Sequence, residues 1–97
     1  MTPRFRLIAT ERFKSQAGRL PGQVVRQLET RLDFLTKNPR HPSLQTHEVQ
    51  GALGDFGGKI FEAYVNDKYR MTWEYGPEKG EITLRNVDNH DECLGLP

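Results

Sequence analysis

The sequence has few of the features that mark a secreted or membrane-bound protein. Cys93 is the single cysteine among 97 residues, which excludes an internal disulfide and a metal cage built from cysteines. No apolar run approaches the roughly 18 residues that a membrane-spanning helix needs. The opening segment lacks the layout of a secretory signal. We therefore expect a cytoplasmic protein with no membrane partner.

The chain also has no marked excess of charge. Its 14 Lys and Arg residues are balanced by 13 Asp and Glu residues, so the formal net charge is +1. A protein that coats nucleic acid is usually clearly basic, but a few cations placed together are enough to bind one phosphate group. The composition leaves an enzyme and a binding module both open, and the length indicates one domain over residues 1–97.

Two helices are predicted in the first half of the chain. Alternating residues 5–9 predict a strand, after which Thr10 is suited to cap a first helix. Pro21 and Gly22 interrupt that helix, and apolar residues then recur at three-to-four spacing over residues 23–37. The two helices form an αα-hairpin.

Residues 38–58 are rich in proline, glycine and polar side chains, and we interpret them as one long loop. Three alternating segments follow, at residues 60–65, 69–75 and 82–87, and predict three strands joined by tight turns. We expect an α+β fold in which the αα-hairpin packs on a small antiparallel sheet of about four strands. In the last strand the alternation predicts that Val87 faces away from the helices.

Arg70 is the clearest candidate for binding an anion. It lies in the middle of a predicted strand, where a planar guanidinium is held rigidly and suits phosphate or carboxylate. The alternative is a structural arginine that pairs across the strands with Glu62 or Glu74.

His90 follows the last predicted strand and has acidic neighbours on both sides. Carboxylates favour the protonated imidazole, which suits a general acid near neutral pH. The alternative is a solvated loop histidine without a role. His41, His47 and His90 show no helical metal-binding spacing, and the glycines match no phosphate-binding or dinucleotide motif, so we expect no metal and no cofactor.

Three segments resemble motifs of one protein family. SLQTHEVQG (residues 43–51), VNDKYRMTWEY (residues 65–75) and ITLRNVDNHDE (residues 82–92) are similar to a loop, a hairpin and a C-terminal segment of the RelE/ParE superfamily of toxin–antitoxin toxins. The order of the predicted elements also resembles that family. The resemblance implies a RelE/ParE-like toxin that cleaves mRNA, commonly in the ribosomal A site, and that a cognate antitoxin silences in a toxin–antitoxin hetero-oligomer.

The resemblance also implies roles for individual residues. Arg70 falls on the arginine that binds the scissile phosphate, and His90 falls on the position of the general acid. Glu62 lies on the strand that supplies a base or a phosphate ligand, so Glu62 or a neighbouring group is expected to accept the proton. The residues expected to bind substrate are His47, Lys59, Tyr69 and Arg85.

Two other functions fit the same resemblance. A ParE-like toxin would bind DNA gyrase and cleave nothing, and His90 would then be dispensable. A catalytically inactive relative would serve only as an antitoxin-binding module. The near-neutral charge and the absence of an aromatic residue after His90 favour the inactive relative.

Overall fold

A computed structural model describes residues 4–90 of the protein. In this part of the chain one strand is followed by two α-helices and then by four more strands. The elements are β1 (Arg6–Ala9), α1 (Glu11–Ala17), α2 (Gly22–Lys37), β2 (His47–Leu53), β3 (Lys59–Tyr64), β4 (Tyr69–Tyr75) and β5 (Glu81–Asn89). No helix among these residues is long and apolar enough to cross a membrane.

Both predicted helices are present. The side chain of Thr10 caps α1 by accepting a hydrogen bond from the backbone N–H of Phe13, at 3.1 Å. Pro21 lies at the N-cap of α2, and the helix ends at Lys37, ahead of Asn38. The apolar stripe of α2 buries Val24, Leu28 and Leu35 against the sheet.

The sheet has five strands in the order β1-β5-β4-β3-β2, rather than about four. β1 pairs with β5 in parallel, and all other neighbours are antiparallel. The additional strand is β2, which lies within the segment that we interpreted as a loop. A short 3₁₀ turn, Pro42–Leu44, precedes it and places Leu44 fully in the core. The interpretation of residues 38–58 as one loop is therefore wrong.

The exposure of its side chains and a bulge explain why the sequence of β2 does not predict a strand. Its side chains are exposed or only half-buried, and Leu53 is 73% exposed. Gly51 has a positive φ of 77°, and the pairing with β3 shifts register between Glu48 and Leu53. An edge strand held by backbone pairing and interrupted by a bulge has no clear alternation of apolar residues.

The hydrophobic core lies between the helices and one face of the sheet. In β3, β4 and β5 this face contributes Phe61, Ala63, Met71, Trp73, Ile82, Leu84 and Val87. The prediction that Val87 faces away from the helices is wrong because β5 contains a bulge. Trp73 pairs with Leu84 and Thr72 pairs with Asn86, which leaves Arg85 as an extra residue and reverses the alternation beyond it.

Candidate active site

Polar side chains dominate the face of the sheet that is opposite the helices, which we call the polar face. The strand pairing places His47 of β2 opposite Glu62 of β3, Glu62 opposite Thr72 of β4, and Thr72 opposite Asn86 of β5. Because directly opposed residues point to the same side of a sheet, these four residues form one row across the polar face. Arg70 lies in the adjacent row.

Glu62 is the centre of this row. Its side chain is fully buried, and its Oε1 lies 3.1 Å from Nε2 of His47 and 3.7 Å from Nδ1 of His90. Both contacts have ion-pair distances, although neither Glu62 oxygen accepts a hydrogen bond of regular geometry from residues 4–90. A buried carboxylate is unfavourable unless a cation or donor compensates it. The imidazoles of His47 and His90 lie at this carboxylate oxygen.

The two histidines are held by their backbone surroundings and remain accessible. The backbone N–H of His90 donates to the carbonyl of Lys68 at 3.0 Å, and Nδ1 of His47 lies 3.1 Å from the carbonyl oxygen of Gln45. The side chains of His47 and His90 are 59% and 47% exposed. Two solvent-accessible imidazoles thus flank one buried carboxylate oxygen, an arrangement suited to donating and accepting protons.

Arg70 lies on the polar face beside this cluster and supports the β3–β4 turn. Its guanidinium donates to the backbone carbonyls of Asn66 and, at 3.0 Å, Tyr69. It also lies over the ring of Tyr64, 4.8 Å from the ring centre. The hydroxyl of Tyr64 donates to Asp67 at 2.9 Å, and this hydrogen bond raises the pKa of Tyr64 above its usual value.

Arg85 extends over the polar face from the bulge in β5. Its guanidinium contacts Glu74, which is almost fully buried, and lies 3.2 Å from the carboxylate of Asp55. The carboxylate of Glu74 also accepts hydrogen bonds from the backbone N–H groups of Asp55 and Phe56, each at 3.2 Å. Glu74 and Arg85 therefore hold the β2–β3 loop against the sheet.

The remaining two residues expected to bind substrate lie on the other face of the sheet. Lys59 alternates onto the same side as Phe61 and pairs with Glu48 at 3.3 Å. Tyr69 packs against the hydrophobic core. The structure thus brings His47, Glu62 and His90 together, places Arg70 and Arg85 on the same face, and does not bring Lys59 or Tyr69 to that face. A substrate role for these two residues stays a prediction.

The sequence did not indicate Asp55 as a site residue, and it indicated Glu74 only as a possible cross-strand partner of Arg70. Glu74 alternates with Arg70 and Thr72 along β4, which is a usable signal for its face. Nothing in the sequence around Asp55 indicates that its loop folds back over β4 and β5. The acidic neighbours Asp91 and Glu92 and the cysteine Cys93 lie outside the described residues. Within residues 4–90 no group of three or more His, Cys, Asp or Glu side chains is arranged to hold a metal ion.

Comparison with known proteins finds matches in structure and none in sequence. No family model and no curated protein matches the chain. A chain in the crystal structure of the archaeal RelE-RelB complex from Pyrococcus horikoshii OT3 matches at 15% identity and a TM-score of 0.69. That alignment covers 88% of this chain and 93% of the other.

Two bacterial structures match to the same extent. A chain of the E. coli DinJ-YafQ toxin–antitoxin complex aligns at 10% identity and a TM-score of 0.70, over 92% of this chain and 96% of the other. The YoeB/ParE toxin from Agrobacterium tumefaciens aligns at 9% identity and a TM-score of 0.68, over 88% and 98%. The chain has the α+β fold of the RelE/ParE superfamily toxins.

Proposed function

We propose that the protein is the toxin of a toxin–antitoxin pair and that it cleaves mRNA without a metal ion. The observation that carries this proposal is the contact of His47 and His90, two exposed imidazoles, with the single buried oxygen Glu62 Oε1. Transfer of one proton from the substrate and one proton to the leaving group requires two such groups at one place. The fold supports the toxin class, and the solved complexes of similar toxins support an antitoxin partner.

We assign different roles to the three residues. Glu62 is fully buried and cannot itself reach a substrate hydroxyl, so His47 accepts the proton of the ribose 2′-OH. The 2′-oxygen then attacks the adjacent 3′-phosphate, and the bond from phosphorus to the 5′-oxygen breaks. His90 donates its proton to that 5′-oxygen. The products are a 2′,3′-cyclic phosphate and a 5′-hydroxyl, and Glu62 holds both imidazoles in place throughout.

Arg70 stabilises the charge that develops on the phosphate. Its guanidinium is held on the same face by backbone carbonyls of the β3–β4 turn and by the ring of Tyr64. A donor fixed in advance and aimed at developing negative charge stabilises a transition state more than a mobile one does. The planar fork of arginine also matches two phosphate oxygens.

The test is cleavage of mRNA by the purified protein in EDTA, with and without translating ribosomes. We expect His47→Gln and His90→Gln each to lower the rate by about 10²- to 10⁴-fold, the usual contribution of a general acid or base. His41→Gln is the matched control, because His41 stacks on Phe34 and caps the 3₁₀ turn. Full cleavage by the His47→Gln/His90→Gln double variant would show that the proposed chemistry is wrong.

A catalytically inactive antitoxin-binding module is the second candidate. It is favoured by the acceptors that already surround Arg70 and Arg85, together with the net charge of +1. This candidate predicts no cleaved RNA under any of these conditions. Induction in cells separates a third outcome, since gyrase inhibition produces DNA breaks whereas an mRNA nuclease first stops protein synthesis.

A further inference from the structure

We infer that a second phosphate group of the RNA binds beside Arg85, in the position that the carboxylate of Asp55 now occupies. The identity of the ligand as RNA rests on the proposed function. The site is a cavity of about 180 Å³, which we call the Arg85 cavity. Its lining residues are Thr10, Arg12, Asp55, Arg85 and Asn86.

The Arg85 cavity forms where β1 leaves the sheet. β1 pairs with β5 only as far as Ala9 opposite Leu84, and the chain then turns into α1. The next residue of β5 is the bulged Arg85, whose backbone carbonyl accepts a hydrogen bond from the hydroxyl of Thr10 at 3.3 Å. The bulge and the turn into α1 together leave a recess at the edge of the polar face.

The charges around the cavity suit an anion that arrives from solvent. Glu74 holds the guanidinium of Arg85 from its buried side, so the fork is fixed in advance. On its outer side Arg85 contacts the carboxylate of Asp55, whose side chain is 77% exposed. Because the Asp55 end of this ion pair is exposed to solvent, a phosphate can approach Arg85 from the same side and replace the carboxylate.

Arg12 supplies a second cation to the same cavity. It is exposed, and no carboxylate of residues 4–90 forms an ion pair with it within 4.0 Å. A phosphate in the place of the Asp55 carboxylate would therefore contact Arg85 and lie next to Arg12. Charge-assisted hydrogen bonds to phosphate are about twice as strong as neutral ones.

The position of the cavity suits a neighbouring phosphate of the same RNA strand. Asn86 lines the cavity and lies in the same cross-strand row as Glu62, with Thr72 between them. Two strand spacings amount to roughly 10 Å. One strand of RNA on the polar face can therefore contact the histidines and the Arg85 cavity together. When the carboxylate of Asp55 is displaced, the local charge of this nearly neutral protein becomes more positive.

The test is binding of a fluorescent hexathymidylate DNA by the full chain, measured by anisotropy. This probe has no 2′-OH, so binding is read without cleavage. We expect Asp55→Asn to tighten binding by about two- to fivefold, because the probe no longer has to break the ion pair of Arg85 with the exposed carboxylate of Asp55. Glu29→Gln is the matched control, because it removes the same charge from an exposed position on α2.

Arg12→Ala tests the second cation. We expect weaker binding and a decrease of about 0.7 in the slope of log affinity against log salt concentration, the value for one phosphate contact to a single strand. Arg26→Ala removes the same charge from the exposed surface of α2 and serves as its control. Equal effects of each variant and its control would overturn the inference, as would the absence of any binding by the wild type.

Two further results keep this inference separate from the proposed function. If Asp55→Asn tightened binding of hexaglutamate but not of the DNA probe, the cavity would serve an acidic protein partner and the inference would be wrong. The histidine variants report on cleavage alone. Unchanged cleavage by the histidine double variant, combined with tighter binding by Asp55→Asn, would reject the proposed chemistry and retain the phosphate subsite.

Discussion

The carboxylate of Glu62 and the imidazole of His47 meet across the β2–β3 pairing, 3.1 Å apart, although one side chain is buried and the other is largely exposed. A contact of the buried carboxylate is therefore supplied from the surface of the protein. Glu74, the other buried carboxylate of the polar face, differs in this respect. It accepts two backbone N–H groups and contacts Arg85.

This difference gives the first prediction. Glu62→Gln keeps the shape of the side chain and removes a buried charge, so we expect the free energy of unfolding to stay the same or to rise by up to about 1 kcal/mol. Cleavage should fall by about a hundredfold, because the imidazoles lose the anion that holds them. Urea unfolding and RNA cleavage on the same preparation measure both effects.

Glu74→Gln is the contrast to this variant. It removes a charged acceptor from two backbone N–H groups and from Arg85, and it should destabilise the protein by about 1–3 kcal/mol. Equal losses of stability for the two variants would mean that Glu62 is compensated as fully as Glu74 is, contrary to our description of the site.

The second prediction concerns the close approach of the β2–β3 loop to β4. A Cβ atom on Gly54 would lie 2.1 Å from Oε1 of Glu74, whereas a Cβ atom on Gly58 would meet nothing within 4 Å. Gly54→Ala should therefore displace the loop and destabilise the protein by about 1–3 kcal/mol, the usual penalty of overpacking. Gly58→Ala should change stability by less than about 0.5 kcal/mol. Thermal unfolding followed by circular dichroism compares the two, and equal midpoints would contradict the observed contact.

The third prediction tests whether the segment before β2 belongs to the core. Leu44 is fully buried and Leu53 is 73% exposed, although both come from the segment that lacks a clear sequence pattern. Leu44→Ala should lower the free energy of unfolding by about 2–5 kcal/mol. Leu53→Ala should lower it by less than about 0.5 kcal/mol. Similar losses in the free energy of unfolding for both variants, measured by chemical denaturation, would show that Leu44 is not buried in the core.

The fourth prediction follows from the hydrogen bond between Tyr64 and Asp67. This bond raises the pKa of Tyr64 above its usual value of 10.0, with a further contribution from partial desolvation. The neutral phenol is thus favoured in the folded state. The associated stability is complete below the pKa of an unfolded tyrosine and is lost as the pH rises through the higher pKa of the folded state.

Asp67→Asn should lower the pKa of Tyr64, because it removes the hydrogen-bonded carboxylate and its negative charge. The ¹³Cζ resonance of labelled Tyr64, assigned with Tyr64→Phe, follows this titration directly. Glu29→Gln controls for the change in net charge. An unchanged titration in Asp67→Asn would show that the hydrogen bond does not form in solution.

The helices and the central strands were predictable because their buried residues repeat at the periods of those elements. The apolar stripe of α2 and the alternation of Met71 and Trp73 in β4 report directly on a core face. The strand β2 was not predictable because backbone pairing holds it, and Val87 was assigned to the wrong face because the bulge at Arg85 adds one residue. Bulges and edge strands leave little trace in apolar patterns.

The sequence indicated the individual residues of the candidate site but not that their side chains lie together. The resemblance to the RelE/ParE family indicates His47 and Glu62, and the acidic neighbours of His90 indicate that residue as well. Their convergence on Glu62 Oε1 depends on the register between β2 and β3, which the sequence does not specify. The contact of Asp55 with Arg85 depends on the same register and on the fold of the adjoining loop.

The parallel pairing of β1 with β5 has a consequence for how the protein is made. Arg6 lies opposite Glu81, so β1 can pair with the sheet only after β5 has been synthesised. Pairing over such a separation requires closure of a long loop and forms slowly compared with local contacts. A nascent chain that has not emerged from the ribosome beyond residue 90 has neither this edge of the sheet nor His90. Any activity of the polar face therefore begins only after translation has passed that point.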